Sequence, residues 1–173
     1  MNAEQAQFLV GYFATMMESE AKTTAKVLAA VPDAKKDYRP DDKSRTAWEL
    51  ATHLATADVW FLDSIIQGNF VFDPNAEAKA TAGMKTVKDV VDFYNKEFPA
   101  KLAQLRALPA DQLTKVVDFF GMFQQPNAAY LGIANNHSTH HRGQLASYLR
   151  AMGSKVPAIY GGSADEPMTA PPA

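Results

Sequence analysis

A chain of 173 residues and 18.9 kDa can hide roughly 70% of its unfolded surface around one core, so it does not need a metal in order to fold. Its net charge of −2 and pI near 6.1, with no cluster of Lys and Arg able to follow a phosphate backbone, exclude nucleic acid as an expected partner. The absence of cysteine removes disulfides, thiolate nucleophiles and thiolate metal sites, and leaves His and carboxylate as the available transition-metal ligands.

The stretch MNAEQAQFLVGYFATMMESEAK has neither a basic start nor a long unbroken apolar run. This argues against a signal peptide or a membrane span and predicts a cytoplasmic protein with no membrane partner. Ala3 to Ala30 place Phe8, Leu9, Tyr12, Phe13, Met16, Met17 and Ala21 at three- and four-residue steps, the pattern of an amphipathic helix with those side chains in the core, and Pro32 ends it. After the polar segment DAKKDYRPDDKS, Thr46 and Glu49 have capping-box spacing for a second helix, AWELATHLATADVWFLDSIIQG, ending near Gly68. A polar, alanine-rich loop is expected from there to about Lys85. Thr86 with Asp89 can cap a third helix, carrying Val87, Val90, Val91, Tyr94, Phe98, Leu102 and Leu105 to about Leu108, with Pro99 as a kink. TKVVDFFGMFQQ is rich in β-branched and aromatic residues around Gly121 and reads as a small hairpin. A fourth helix opens at Pro126 or Asn127 and stops at Gly153. The remaining VPAIYGGSADEPMTAPPA has too much Pro and Gly for a helix, so the tail from about residue 157 is expected to lie extended. These elements predict a single all-α domain over 1–173, a four-helix bundle in which sites are built from inward side chains on facing helices.

Three of the four histidines fall within NNHSTHHRGQL on the fourth helix. The stripe Tyr130, Ala134, Leu145, Tyr148 and Met152 passes through His137 and His141, which lie only about 40° apart around the helix axis. His140 falls instead with Ile133, Gln144, Ser147 and Ala151 on a more polar flank and should look away. Two imidazoles one turn apart on one face can share a divalent metal, and two inward histidines are costly to bury unless something satisfies them. His53, in the second turn of the second helix beside Leu50, Ala57, Trp60 and Phe61, is the candidate third ligand. A lone histidine on an apolar face is more often a hydrogen-bonded core residue than a ligand, so spacing alone favours the core role for His53. Glu49 could be imagined as a ligand, but its place in the capping box already accounts for it. No histidine has an acidic residue three positions before it, which argues against a di-iron bundle and for a mononuclear site. Met16 and Met17 read as ordinary core. Asp58 and Tyr148 are polar groups that could lie near the site, and neither can be assigned as acid or base.

SRTAWELATHLATADVWFLDSI, HSTHHRGQLASYLRAMG and VPAIYGGSADE, in that order and separation, resemble the DinB/YfiT-like family of metal-dependent enzymes, and the resemblance spans nearly the whole chain. It implies a bundle of four main helices that presents one histidine from the second helix and two, four residues apart, from the last. Those positions are His53, His137 and His141. It further implies one divalent metal ion, with Zn, Ni or Fe the most plausible. Relatives include thiol-dependent enzymes that transfer bacillithiol or isomerise maleylpyruvate with mycothiol, which implies a small-molecule substrate, a low-molecular-weight thiol among the candidates, and a homodimeric assembly. The expected function is a metal-dependent enzyme that activates a thiol or water at an open coordination position, of S-transferase type. The alternatives are a metal-dependent hydrolase and a non-enzymatic metal-binding or stress-response bundle.

Overall fold

The structure, a computed structural model, describes residues 1–168. Its elements in chain order are α1 (Ala3–Ala29), a 3-10 turn (Asp33–Lys35), α2 (Ala47–Gln67), α3 (Ala76–Thr81), α4 (Val87–Arg106), α5 (Ala110–Thr114), β1 (Val116–Phe119), β2 (Phe123–Pro126), a 3-10 turn (Asn127–Ala129) at the expected opening of the fourth helix, and α6 (Tyr130–Ala151). The four long helices form the bundle. α1 and α2 each pack against both α4 and α6, so α1 lies diagonally opposite α2, and α4 opposite α6. The connections from α1 to α2 and from α4 to α6 must therefore cross the bundle end, which is why both are long. None of the described helices is long and apolar enough to cross a membrane.

Helix starts follow local chemistry. Asn2 with Gln5, Thr46 with Glu49 and Thr86 with Asp89 each form a reciprocal capping box, which satisfies amides that the first turn leaves without partners. Pro99 does not end α4, which continues unbroken to Arg106. Pro99 is exposed, so the Asn95 carbonyl that loses its helical donor stays near solvent, and the expected kink gives way to an uninterrupted helix. Gly153, at φ +69°, takes the left-handed conformation that terminates α6.

The core seam of α1 differs from the aromatic stripe expected from sequence. Ala6, Val10, Ala14 and Met17 are buried, whereas Phe8 and Tyr12 are 70% and 57% exposed. Small side chains at Ala6 and Ala14 leave room for the neighbouring helices on this seam, and Phe8 and Tyr12 fall on the adjacent, exposed face. The expected loop after α2 contains the short helix α3, and the irregular piece before the hairpin contains α5. The hairpin itself pairs antiparallel, with Val117 opposite Gln125 and Phe119 opposite Phe123. It is tied down by the Tyr130 hydroxyl, which donates to the Val117 carbonyl at 2.7 Å. The tail is not simply extended. The carboxylates of Asp165 and Glu166 accept the Val156 and Ala158 amides, each at 2.9 Å, so the segment doubles back on itself. Residues 169–173, the last part of the expected extended tail, lie outside the described residues.

A polar layer crosses the bundle where an apolar one would be the default. Asp58 on α2 is 3% exposed. It accepts from Ser138 Oγ on α6 at 2.8 Å and from the Tyr94 hydroxyl on α4 at 3.1 Å. Arg142 on α6 is 1% exposed. It donates to Thr24 Oγ1 and to the Glu20 carbonyl, both at 3.2 Å, and pairs with the Glu20 carboxylate and the Tyr160 hydroxyl. All four long helices are joined through these contacts.

Candidate metal centre

α2 and α6 lie side by side, and their contact brings together the three histidines singled out in the sequence. The ring centroids are 5.2 Å apart for His53 and His137, 4.7 Å for His53 and His141, and 4.4 Å for His137 and His141. One nitrogen from each lies within 4.8 Å of the other two. His140 is exposed and lies outside this group, as its place on the polar flank of the helix requires. Two of the rings are oriented from behind. His53 Nδ1 lies 3.2 Å from Glu77 Oε2, and His141 Nδ1 lies 2.8 Å from Gln144 Oε1. A hydrogen bond at Nδ1 leaves Nε2 as the coordinating atom and fixes the plane of the ring. The third ring, His137, has a buried Nδ1 with no hydrogen-bond partner.

These features fit a bound cation. A buried nitrogen without a partner is costly unless a ligand satisfies it, and three neutral imidazoles are a donor set for Zn, Ni, Fe or Cu. Coordination requires neutral imidazole, and burial favours that state at His137 and His141. Burial, reinforced by the other histidines, lowers the His137 pKa to about 3, and burial also lowers that of His141. Protonation of His137 is thus displaced far below the value near 6.5 of a free imidazole. Behind His53, the Glu77 carboxyl is held below the usual carboxylate range by its hydrogen bond with the ring.

Glu49 is not a ligand, because its carboxylate accepts the Thr46 amide at 2.7 Å and completes the cap. Tyr148 is engaged elsewhere. Its hydroxyl donates to the Arg45 carbonyl at 3.2 Å, and its ring meets Tyr38 edge-on at 5.7 Å. Asp58 belongs to the polar layer of the core, where burial pushes its pKa up to about 7 against the opposing pull of Ser138, Tyr94 and Arg142.

Sequence reasoning missed Glu77, Gln144 and Arg142. Glu77 sits in α3, whose run AEAKAT consists of strong helix formers apart from its last residue, and that was a usable signal. Arg142 lies on the seam Leu131, Ala134, Ser138, Arg142, Leu145, Leu149, whose three- and four-residue steps pointed inward. The charge of its side chain hid this.

The histidines stand at one side of a cavity of about 590 Å³, which His53 and His137 help to line together with Trp60, Phe61 and the hairpin residue Phe120. A four-helix bundle with three histidines converging beside an aromatic cavity defines a class of helical proteins equipped to hold one metal ion. The chain belongs to the DinB family, whose profile matches residues 3–171. It is similar to YrdA, an uncharacterized protein of Bacillus subtilis (strain 168), at 28% identity over 156 residues covering 90% of each chain. Its fold resembles the crystal structure of a DinB-like protein from Bacillus cereus ATCC 10987, with a TM-score of 0.70 and 27% identity over 86% of this chain and 95% of that one. The DinB-like protein YjoA from Bacillus subtilis shares the fold, with a TM-score of 0.68 and 24% identity over 86% of this chain and 96% of its own.

Proposed function

We propose that the protein is a divalent-metal-dependent enzyme of the S-transferase kind, with His53, His137 and His141 as the metal ligands. The observation that carries this reading is the convergence of three imidazoles beside a cavity large enough for a small molecule. A structural metal would be closed by a fourth protein ligand. Among the described residues only these three histidines form such a group, since Glu49 is committed to its cap and Glu77 to the outer nitrogen of His53. Bound there, a divalent cation supplies Lewis-acid chemistry that lowers the pKa of a thiol or a water and so provides a nucleophile near neutral pH.

The chain's own residues do the rest. Glu77 and Gln144 hold two rings in the coordinating orientation, and burial keeps His137 unprotonated. The aromatic walls place an apolar surface next to the histidines. Because the chain has no cysteine, any thiol must come from a small cosubstrate, and the open position is where it would enter. We further propose that the protein works in the cytoplasm as a homodimer.

The reading is tested with zinc-, nickel- and iron-loaded protein. Conjugation of bacillithiol or cysteine to a chlorodinitrobenzene is measured beside hydrolysis of a nitrophenyl ester. Metal-dependent conjugation that is lost in His141→Ala is the expected result. Metal-dependent hydrolysis without conjugation would replace the transferase by a hydrolase, and neither reaction with full metal occupancy would count against the thiol chemistry.

A further inference from the structure

The walls of the cavity carry information that the metal site does not use. They are formed by Trp60 and Phe61 on α2, Phe93 on α4, Phe72 in the segment after α2, and Phe119 and Phe120 on the hairpin. The charged groups among its lining residues already have partners. Asp63 pairs with Lys101 at 2.5 Å, Asp73 with Lys79 at 2.8 Å and Glu77 with His53 at 3.2 Å. Each lining carboxylate already faces a cationic or imidazole partner, so none of the lining charges stands unpaired to recognise an ionic ligand.

Phe120 provides the second, independent observation. It is the only non-glycine residue with positive φ among the described residues, at +56°, and Gly121 follows at +73°. The Met122 amide donates to the Phe119 carbonyl at 3.0 Å across this turn. Two successive positive φ values inside the three-residue connection between the paired Phe119 and Phe123 are left-handed backbone, for which Asn or Gly is the unstrained choice at the place Phe120 occupies. An aromatic residue carried there at a conformational cost needs a reason. The ring lies nearly parallel to Trp60, at 6° and 6.4 Å between centroids, and edge-on to Phe72 at 6.5 Å. Phe120 and Phe72 remain 40% and 74% exposed. The turn thus holds an aromatic surface over the cavity and leaves much of it in water, where a ligand could cover it.

We propose that this cavity binds the uncharged, apolar portion of a small-molecule substrate, a group of aromatic size, and that Phe120 is a specificity-determining wall held in place by the strained turn. The proposal rests on the metal-site reading only for which end of the substrate reacts.

The test is a fluorescence titration of the full chain with the neutral probe phenylnaphthylamine, in chelator and with zinc. Saturable one-site binding is expected, with the anionic probe anilinonaphthalene sulfonate binding about tenfold more weakly. Phe120→Gly should weaken the neutral probe about tenfold while holding or raising the melting temperature, because glycine relieves the turn. Ala57→Phe fills the same cavity from α2 and should weaken the probe without touching the hairpin. Absence of saturable binding, undiminished binding in both variants, or preference for the anionic probe would overturn the proposal. His141→Ala separates the two readings. Metal loss with probe binding retained is the expected result there, whereas failure of the native protein to take up metal while still binding the probe would sink the metal site alone.

Discussion

Asp58 offers a prediction whose size can be worked from the structure. Its carboxyl is buried among α2, α4 and α6, with one oxygen accepting from Ser138 and Tyr94 and the other, Oδ1, without a partner. Burial raises its pKa from 3.8 to about 7. Between those values the folded protein keeps the proton and the unfolded chain releases it, so the folded state binds more protons. Stability must then fall as pH rises through this window and level off above about pH 7. At about 1.4 kcal/mol for each pH unit the full effect is roughly 4 kcal/mol, a large fraction of the 5–15 kcal/mol typical of a domain. Other carboxyls act in the opposite sense. Asp41, Asp73, Asp89 and Asp165, for example, have lowered values, and their stabilisation is lost as pH falls. Only a difference against a variant isolates Asp58.

Asp58→Asn keeps an oxygen for both hydroxyl donors and removes the titration. Urea unfolding of the two proteins in chelator, followed by circular dichroism between about pH 4.5 and pH 8, gives that difference. The Asn variant should gain on the native protein by roughly 3 kcal/mol across this range, with the change concentrated below about pH 7. Any fixed cost of the amide is the same at every pH and does not enter the slope. A difference that stays constant with pH would refute the reasoning and mean that the buried carboxyl is ionised or hydrated in the folded state.

His140→Ala should leave metal stoichiometry, measured by elemental analysis, close to that of the native protein, while His137→Ala and His141→Ala remove most of it. Equal losses from all three would contradict the assignment of faces on α6. Glu77→Gln and Gln144→Ala, which disturb the groups behind His53 and His141, should each weaken metal affinity by about 10–100-fold in calorimetric titrations without lowering the stoichiometry. Light scattering should give about twice the 18.9 kDa of one chain. Phe8→Glu combined with Tyr12→Glu, on the exposed face of α1, should shift it toward the monomer, and a monomer in the native protein at micromolar concentration would exclude the dimer.

The parts of the fold that were legible in the sequence are those written in local chemistry. Thr46 with Glu49 and Thr86 with Asp89 announce two helix starts because a reciprocal cap needs those residue types at that spacing, and Gly153 announces a stop because it can take φ +69°. His137 and His141 were readable as one face because helical periodicity fixes their direction, and His140 as its exception for the same reason. His53 was weaker. A single histidine has no periodicity of its own, and only the packing of α2 beside α6 brings it to the pair. The composition of AEAKAT signals the helix that carries Glu77 but not where that helix packs, and Phe120 was beyond such reading altogether. The first reaches the site because α3 folds back onto α2, and the second because the turn lifts its ring over a cavity built by distant segments. Phe8 and Tyr12 misled for a related reason. Ring size signals hydrophobicity but not which face of α1 has room for a neighbouring helix, and the small residues Ala6 and Ala14 decided that.

The polar layer and the histidine site share more than proximity. On α6 each metal-site histidine is followed directly by a residue anchored in that layer. His137 precedes Ser138, which holds Asp58 on α2, and His141 precedes Arg142, which holds Glu20 and Thr24 on α1. A packing of apolar side chains alone tolerates small slips and rotations at modest cost. Rotating α6 by one residue, about 100°, would instead detach both anchors at once. It would strand a buried guanidinium, which costs several kcal/mol, and leave Asp58 with a single donor. The same contacts therefore limit how far α6 can turn relative to α2, and with it the separation between His53 and the other two rings. Coordination requires that separation to be set within a fraction of an ångström. A core that gives up some apolar burial for Asp58 and Arg142 gains a fixed helix register, and on α6 the residues that supply it, Ser138 and Arg142, sit one position away from the histidines whose placement depends on it.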